Sequence, residues 1–229
     1  MTKTNKSVKA LVGLFIFSFL FASKAIADDK RFYAGIDASS QKLALDIYST
    51  TLSDGTNFSP SAEDYYETNS FVPYLFAGFD NGSNLKIEAS YSRSSEEKGN
   101  PSTGLFLVSD GSSLSSKSEI KTQTIGLDFK PYAKINDKFL AYGILGVSQN
   151  KLDIKESIYC DGTLCDSYSE SVSKLAPTLG FGAEYFLSSN VAVRTQFKYT
   201  HLNAKTPDSL GIKEIKSVTN LNIGVGYYF

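Results

Sequence analysis

Leu221-Asn222-Ile223-Gly224-Val225-Gly226-Tyr227-Tyr228-Phe229 alternates residue by residue. Leu221, Ile223, Val225, Tyr227 and Phe229 fall on one face of an extended strand, and Asn222, Gly224, Gly226 and Tyr228 fall on the other. The sequence stops on Phe229, at the end of its most apolar strand. A soluble domain gains little from an apolar strand at a terminus that frays. A membrane barrel needs one there, because its last strand must pair with its first and leave no edge in lipid. The competing expectation is the final core strand of a soluble barrel.

The same period of two runs back through the chain. Phe32, Ala34, Ile36 and Ala38 oppose Tyr33, Gly35, Asp37 and Ser39. Near Ser40 the phase shifts, so that Leu43, Leu45 and Ile47 join the apolar face, and a bulge is expected there. Leu75, Ala77 and Phe79 precede a tight turn at 80–84, and Leu85, Ile87, Ala89 and Tyr91 follow it. Further strands run through Ile125–Phe129, from Phe139 to about Asp153, through Leu175–Tyr185 and through Val191–Tyr199. The count is about eight. Polar stretches near 49–69, 93–118, 154–172 and 203–214 alternate with short turns, and all four are expected to be long loops.

The front of the chain has a different character. Lys3, Lys6 and Lys9 precede an apolar run from Leu11 to Ala22, and Ala25-Ile26-Ala27 supplies a small-x-small cleavage pattern. The run is too short to span a bilayer comfortably. Residues 1–27 are therefore expected to be a signal peptide and 28–229 a single barrel domain. Losing Lys3, Lys6, Lys9 and Lys24 takes 23 basic residues to 19 against 24 acidic ones, a net charge near −5. That argues against nucleic acid as a partner. Export also meets an oxidising compartment, and Asp161-Gly162 is a turn that brings Cys160 and Cys165 together as a local disulfide.

The two faces of each strand differ in charge. Asp37, Lys86, Glu88, Asp128, Lys130, Glu184, Arg194 and Lys198 share the face that also carries Gly78, Gly126, Gly180, Gly182, Gly224 and Gly226. A Lys or Arg facing lipid at mid-depth costs about 2–4 kcal/mol, so in a membrane barrel this face points inward. Small residues suit a narrow interior, and the bulky aromatics are expected on the outer face. Inside, opposite charges must pair. The alternatives are a narrow pore for small solutes and an exported, lipocalin-like soluble barrel that binds an apolar ligand. The single histidine, His201, is followed by Leu202 and has no adjacent Ser. Neither a phosphate loop nor a nucleophile elbow is present, so no catalytic residue, metal or cofactor is expected.

Gly180-Phe181-Gly182-Ala183-Glu184-Tyr185, with the turn and strand behind it, and Gly224-Val225-Gly226-Tyr227-Tyr228-Phe229 resemble the OmpA/OmpX-like eight-stranded outer-membrane barrels. The resemblance covers nearly all of 28–229. It implies an all-β, antiparallel, up-and-down transmembrane barrel in the outer membrane of a Gram-negative-type bacterium, with short periplasmic turns and long outer loops. It further implies outer-membrane lipid as surroundings and a structural or surface-interaction role, with an extracellular ligand taken by the loops. In that family Val225, Tyr227 and Phe229 would be the terminal signature that the outer-membrane assembly machinery reads. A peptidoglycan-binding domain of the OmpA type is missing, which points to the small stand-alone surface proteins.

Overall fold

The computed structural model describes residues 31–47, 50–51, 57–58, 69–94, 97–98, 106–107, 113–206 and 212–229. The segment expected to be a signal peptide lies outside the described residues. Eight strands carry the fold: β1 (Arg31–Ile47), β2 (Asn69–Asp80), β3 (Leu85–Arg93), β4 (Ser113–Lys134), β5 (Phe139–Cys160), β6 (Thr163–Phe186), β7 (Val191–Lys205) and β8 (Ile212–Tyr228). Each pairs antiparallel with its chain neighbours, and β8 pairs with β1 from Tyr33↔Tyr228 to Ile47↔Ile212. That last pairing closes the ring and gives the terminal strand backbone partners on both sides.

Three short turns lie at the end where β1 starts and β8 finishes. In the first, the Asn81 side-chain oxygen accepts from the backbone N–H of Ser83, Asn84 and Leu85 at 2.9, 3.1 and 3.0 Å, while Gly82 takes a φ of 76°. Asn136 accepts from Lys138 and Phe139 in the same way, both at 2.9 Å. Ser188 Oγ accepts from Asn190 and Val191 at 3.3 and 3.1 Å. These local bonds let polar turn residues replace ladder hydrogen bonds.

The opposite end departs from the sequence expectation. Residues 154–172 form no loop. β5 and β6 run 22 and 24 residues into a single hairpin, whose two-residue turn is Asp161-Gly162 with φ of 48° and 78°. The ladder continues through Ile154↔Glu170 and Leu152↔Val172. Polarity misled here, because a strand standing in water carries polar residues like a loop does.

β1 departs as well. No bulge occurs at Ser40, since pairing with β8 is continuous from Tyr33 to Ala44. Leu43 points inward with Asp37, Ser39 and Gln41, and all four are buried. The interior itself changes character. Through most of the ring it is polar, but at the outer end it becomes an apolar plug of Leu43, Ile120, Leu152, Ile154, Leu202 and Ile215 with smaller neighbours.

The outward surface is apolar where the interior is polar. Ile36, Leu75, Leu127, Leu179, Phe181 and Ile223 are all exposed. On β7 this belt runs from Val191 to Tyr199, and strands of about nine to eleven tilted residues cross a hydrocarbon core. Apolar outside and charged inside is the reverse of a water-soluble barrel, which removes the lipocalin-like alternative.

Aromatic residues do not all face outward. Tyr33, Tyr74, Phe76, Tyr132, Tyr142 and Tyr228 are buried in the lumen. Glycines opposite them supply the space: a Cβ on Gly78 would strike the Tyr33 ring, and one on Gly182 the Tyr142 ring. Gly78→Val should therefore lower the temperature at which the folded barrel opens on a gel, by an overpacking penalty of about 1–3 kcal/mol. Ala77→Val, one residue away and facing outward, should leave it nearly unchanged. Equal effects would show that the two positions do not differ as the packing implies.

Candidate functional site

Eight charged side chains converge in the lumen, four cations and four carboxylates. Lys86, Lys130, Arg194 and Lys198 face Asp37, Glu88, Asp128 and Glu184, and every one of the eight is buried. Period-two alternation explains how they meet, because each strand sends every second residue inward.

Arg194 on β7 is the hub. Its Nε and Nη2 donate to the two carboxylate oxygens of Asp37 on β1, at 2.8 and 2.6 Å. Its Nη1 donates to Glu88 Oε2 on β3 at 2.6 Å. The guanidinium carbon lies 3.1 Å from the centre of the Phe76 ring on β2. Arg rather than Lys fits this position, because the fork binds carboxylates bidentately and its plane stacks on an aromatic face.

Glu88 uses both oxygens. Oε1 meets Lys130 Nζ of β4 at 2.6 Å, and Oε2 also accepts from the Tyr33 hydroxyl at 3.2 Å. Lys130 donates in turn to Gln196 Oε1 at 3.1 Å, which returns the network to β7. Toward the outer end, Lys198 donates to Asp128 and to the Tyr74 hydroxyl, both at 2.5 Å. Toward the turn end, Lys86 donates to Glu184 at 2.5 Å and to Tyr228 Oη at 2.6 Å, and Tyr228 also donates to Glu184. The Lys86 ammonium lies 5.0 to 5.9 Å from four aromatic ring centres: Tyr228, Tyr33, Tyr132 and Phe186. A Cβ on Gly224 would strike the Asp37 carboxylate, and one on Gly146 the Asp128 carboxylate, so the glycines set how close the acids sit to the wall.

Between this network and the apolar plug lies a layer of hydroxyls and amides. Ser148 bonds Thr178 at 3.1 Å, Thr178 bonds Thr200 at 2.9 Å, and Thr122 donates to Gln41 at 2.8 Å. Asn222 is buried with neither side-chain polar atom partnered by protein. The described residues thus fill the lumen in three levels.

The remaining sequence candidates lie elsewhere. Cys160 and Cys165 are bonded at the tip of the β5–β6 hairpin, with Cα atoms 5.8 Å apart. Val225, Tyr227 and Phe229 are exposed on the outward face of β8, and the Phe229 N–H donates to Phe32 O at 2.9 Å. His201 is exposed at the outer rim, 2.7 Å from the Asn203 amide nitrogen. Among the described residues no group of three or more His, Cys, Asp or Glu is arranged to hold a metal ion. Sequence reasoning missed the inward aromatics and the plug. Leu43, Leu152 and Ile154 keep strict alternation with Lys42, Lys151 and Asp153, and that signal could have found the plug.

Removing one partner of a buried pair leaves an uncompensated charge. Glu88→Gln would deprive Lys130 of its carboxylate and Arg194 of one of two, at about 3–5 kcal/mol. Its heat-induced unfolding should shift clearly downward. Asp153→Asn, which breaks an exposed pair with Lys151, should stay within about 1 kcal/mol of the parent. Similar shifts for both variants would show that the interior pairs are not structurally critical.

A family model described as "Outer membrane protein beta-barrel domain" matches residues 12–229. No curated protein matches. Among solved structures, Neisserial surface protein A is 18% identical, with 86% of this chain and 97% of that one covered at a TM-score of 0.55. OprG from Pseudomonas aeruginosa is 16% identical over 88% and 96%, at 0.52. A major outer membrane protein from Thermus thermophilus is 13% identical over 88% and 100%, at 0.55. At these identities the three likenesses speak for the fold.

Proposed function

Because this chain belongs to the outer membrane protein beta-barrel domain family and resides in the outer membrane, we propose that it is a non-catalytic scaffold that displays its outer hairpins for surface interaction. Outer-membrane barrels put short turns in the periplasm and long connections outside, which orients the 81–84, 135–138 and 187–190 turns inward to the cell. The observation that carries the proposal is the contrast between lumen and rim. The lumen is filled by paired charges under an apolar plug, while the β5–β6 hairpin projects past the belt and is pinned at its tip by Cys160–Cys165. A rigid wall around a filled lumen that presents exposed strands suits contact.

The narrow-pore alternative predicts conductance, whereas a sealed lumen predicts none. Purified protein in a planar bilayer should show no stable channel events. On cells, replacing 156–168 by a two-residue turn, which keeps the plug residues Leu152 and Ile154, should abolish attachment to a surface that the parent binds while leaving the barrel inserted. Steady conductance in the parent, or unchanged attachment after trimming, would sink the proposal.

The terminal residues serve a different step. We propose that Val225, Tyr227 and Phe229 form the face that assembly machinery engages before insertion, supported by their exposure on the closing strand. Phe229→Ser removes one half-exposed ring, together with its edge contact to Tyr227. It should slow insertion in cells and leave refolding into detergent micelles unchanged. Equal insertion of variant and parent in cells would remove the assembly role.

A further inference from the structure

The turn end of the barrel holds a blind bowl of about 450 Å³. All three short turns and the first residue of β1 stand around it. Its floor is aromatic: Tyr132 and Tyr228 are buried there, with Phe186 half-buried beside them. Beneath that floor, the bonds among Lys86, Glu184 and Tyr228 close the way into the lumen. The volume falls within the range of about 300–1,000 Å³ that small-ligand sites occupy.

The rim of the bowl is cationic. Arg31 opens β1, and its Nη1 donates to Ser189 O of the β6–β7 turn at 2.9 Å. A guanidinium has five N–H donors, so this bond holds the group at the mouth and leaves donors for a ligand. Lys134 and Lys138 are exposed on either side of the β4–β5 turn. Neither has an ion-pair partner among the described residues. The acids at the mouth are fewer. Asp80 accepts from the Tyr132 hydroxyl and from the Gly82 N–H, both at 2.9 Å, and its other oxygen lies 4.0 Å from Lys86, so it serves the fold. Among the described residues Asp137 is the one exposed side-chain carboxylate lining the bowl. In a ring of eight antiparallel strands the β4–β5 turn lies across from the seam where β1 meets β8. Positive charge is thus presented on two opposite sides of an aromatic floor.

We infer that the bowl binds a short peptide carrying two carboxylates, one toward each end, from the periplasm. Arg31 takes one carboxylate in its fork, and Lys134 and Lys138 take the other. The apolar stretch between them lies on the Tyr132, Phe186 and Tyr228 rings. Three extended residues span about 10 Å, the scale of a mouth ringed by turns of one narrow barrel. The sequence carries 24 acidic residues against 23 basic ones, so three cations facing one free acid is not what composition alone supplies. A concave wall of one sign concentrates ions of the other. Short turns of outer-membrane barrels face the periplasm, which fixes the side from which the ligand comes. The site shares no residue with the outer hairpin, so it stands apart from the surface-contact role.

The test titrates the refolded protein, in neutral detergent micelles, with N-acetylated glutamyl-alanyl-alanine and reads binding by calorimetry. The side-chain and terminal carboxylates of that peptide sit at opposite ends. The parent should bind it in a salt-sensitive manner, and the same peptide with both carboxylates amidated should not bind. Each of Arg31→Gln, Lys134→Gln and Lys138→Gln should weaken binding about fivefold. Lys42→Gln and Lys151→Gln, which remove cations at the outer end, should bind as the parent does, and this separates the bowl from net charge. All five side chains lie outside the lumen, and an unchanged unfolding temperature identifies properly folded variants. Competition by soluble cell-wall peptides assigns the ligand to the wall, and lack of competition assigns it to free peptides. Equal binding of the amidated peptide, or full binding by all three rim variants, would overturn the bowl site. Binding that emerges only with Asp28→Asn and Asp29→Asn would also overturn it, in favour of the chain's own start as the occupant.

Discussion

A guanidinium sealed inside a narrow barrel is the constraint on which the rest depends. Arg194 is 2% exposed, so water cannot solvate it and protein acceptors must. Asp37 reaches it from β1, Glu88 from β3, and Phe76 lies under it from β2. Four strands are thereby fixed relative to one another by one side chain. Glu88 then needs a second cation for its other oxygen, and Lys130 brings in β4. The pairs Lys198–Asp128 and Lys86–Glu184 add the outer and turn-end levels and tie in β6. Asp80, 4.0 Å from Lys86, adds a fifth carboxylate at the turn end.

The pairs are better understood as setting register than as a source of net stability. Buried ion pairs often contribute little relative to apolar residues of the same shape, because desolvation offsets the attraction. Their effect on alternatives is larger. A slip of one residue between strands turns every inward side chain outward. Four buried cations moved to lipid would cost on the order of 10 kcal/mol. Gly224 and Gly146 sharpen the same selection, since only glycine leaves space for the Asp37 and Asp128 carboxylates. Charge, glycine and ring positions thus agree on one register.

Much of the fold was legible because the belt obeys a single period. The alternation in Leu175–Tyr185 and Leu221–Phe229 is enough to define strands, and the charges on the opposite faces separate the two sides by cost. The pairing partners were not legible. Alternation says that Lys130 shares a side with Glu88, but only the register that puts Lys86 beside Lys130 and Glu88 beside Asp128 brings the ammonium to Glu88. The inward rings were missed because polarity was used as the only guide to sides. Tyr33 and Tyr228 stack at 5.1 Å inside the barrel, and their hydroxyls serve as hydrogen-bond donors within the charge network.

The apparent phase shift on β1 has the same origin as the plug, and it reports where the membrane stops. Along β5, Leu145 and Val147 face outward while Ser148 and Asn150 face inward. A few residues later Leu152 and Ile154 face inward while Lys151 and Lys155 face outward. The ladder to β4 is unbroken across this change, from Gly126↔Ser148 to Ile120↔Ile154, so no residue has been inserted. The reversal recurs on β1 before Leu43, on β6 between Leu175 and Val172, and on β7 between Tyr199 and Leu202. One backbone thus keeps its geometry while its polarity inverts. Only a change in the outer solvent explains that: below the level lipid demands an apolar exterior, and above it water demands an apolar core. The strands therefore build a membrane barrel and a short water-facing barrel end to end. Lys42 and Lys151, the outward neighbours of the plug residues Leu43 and Leu152, mark the seam between them.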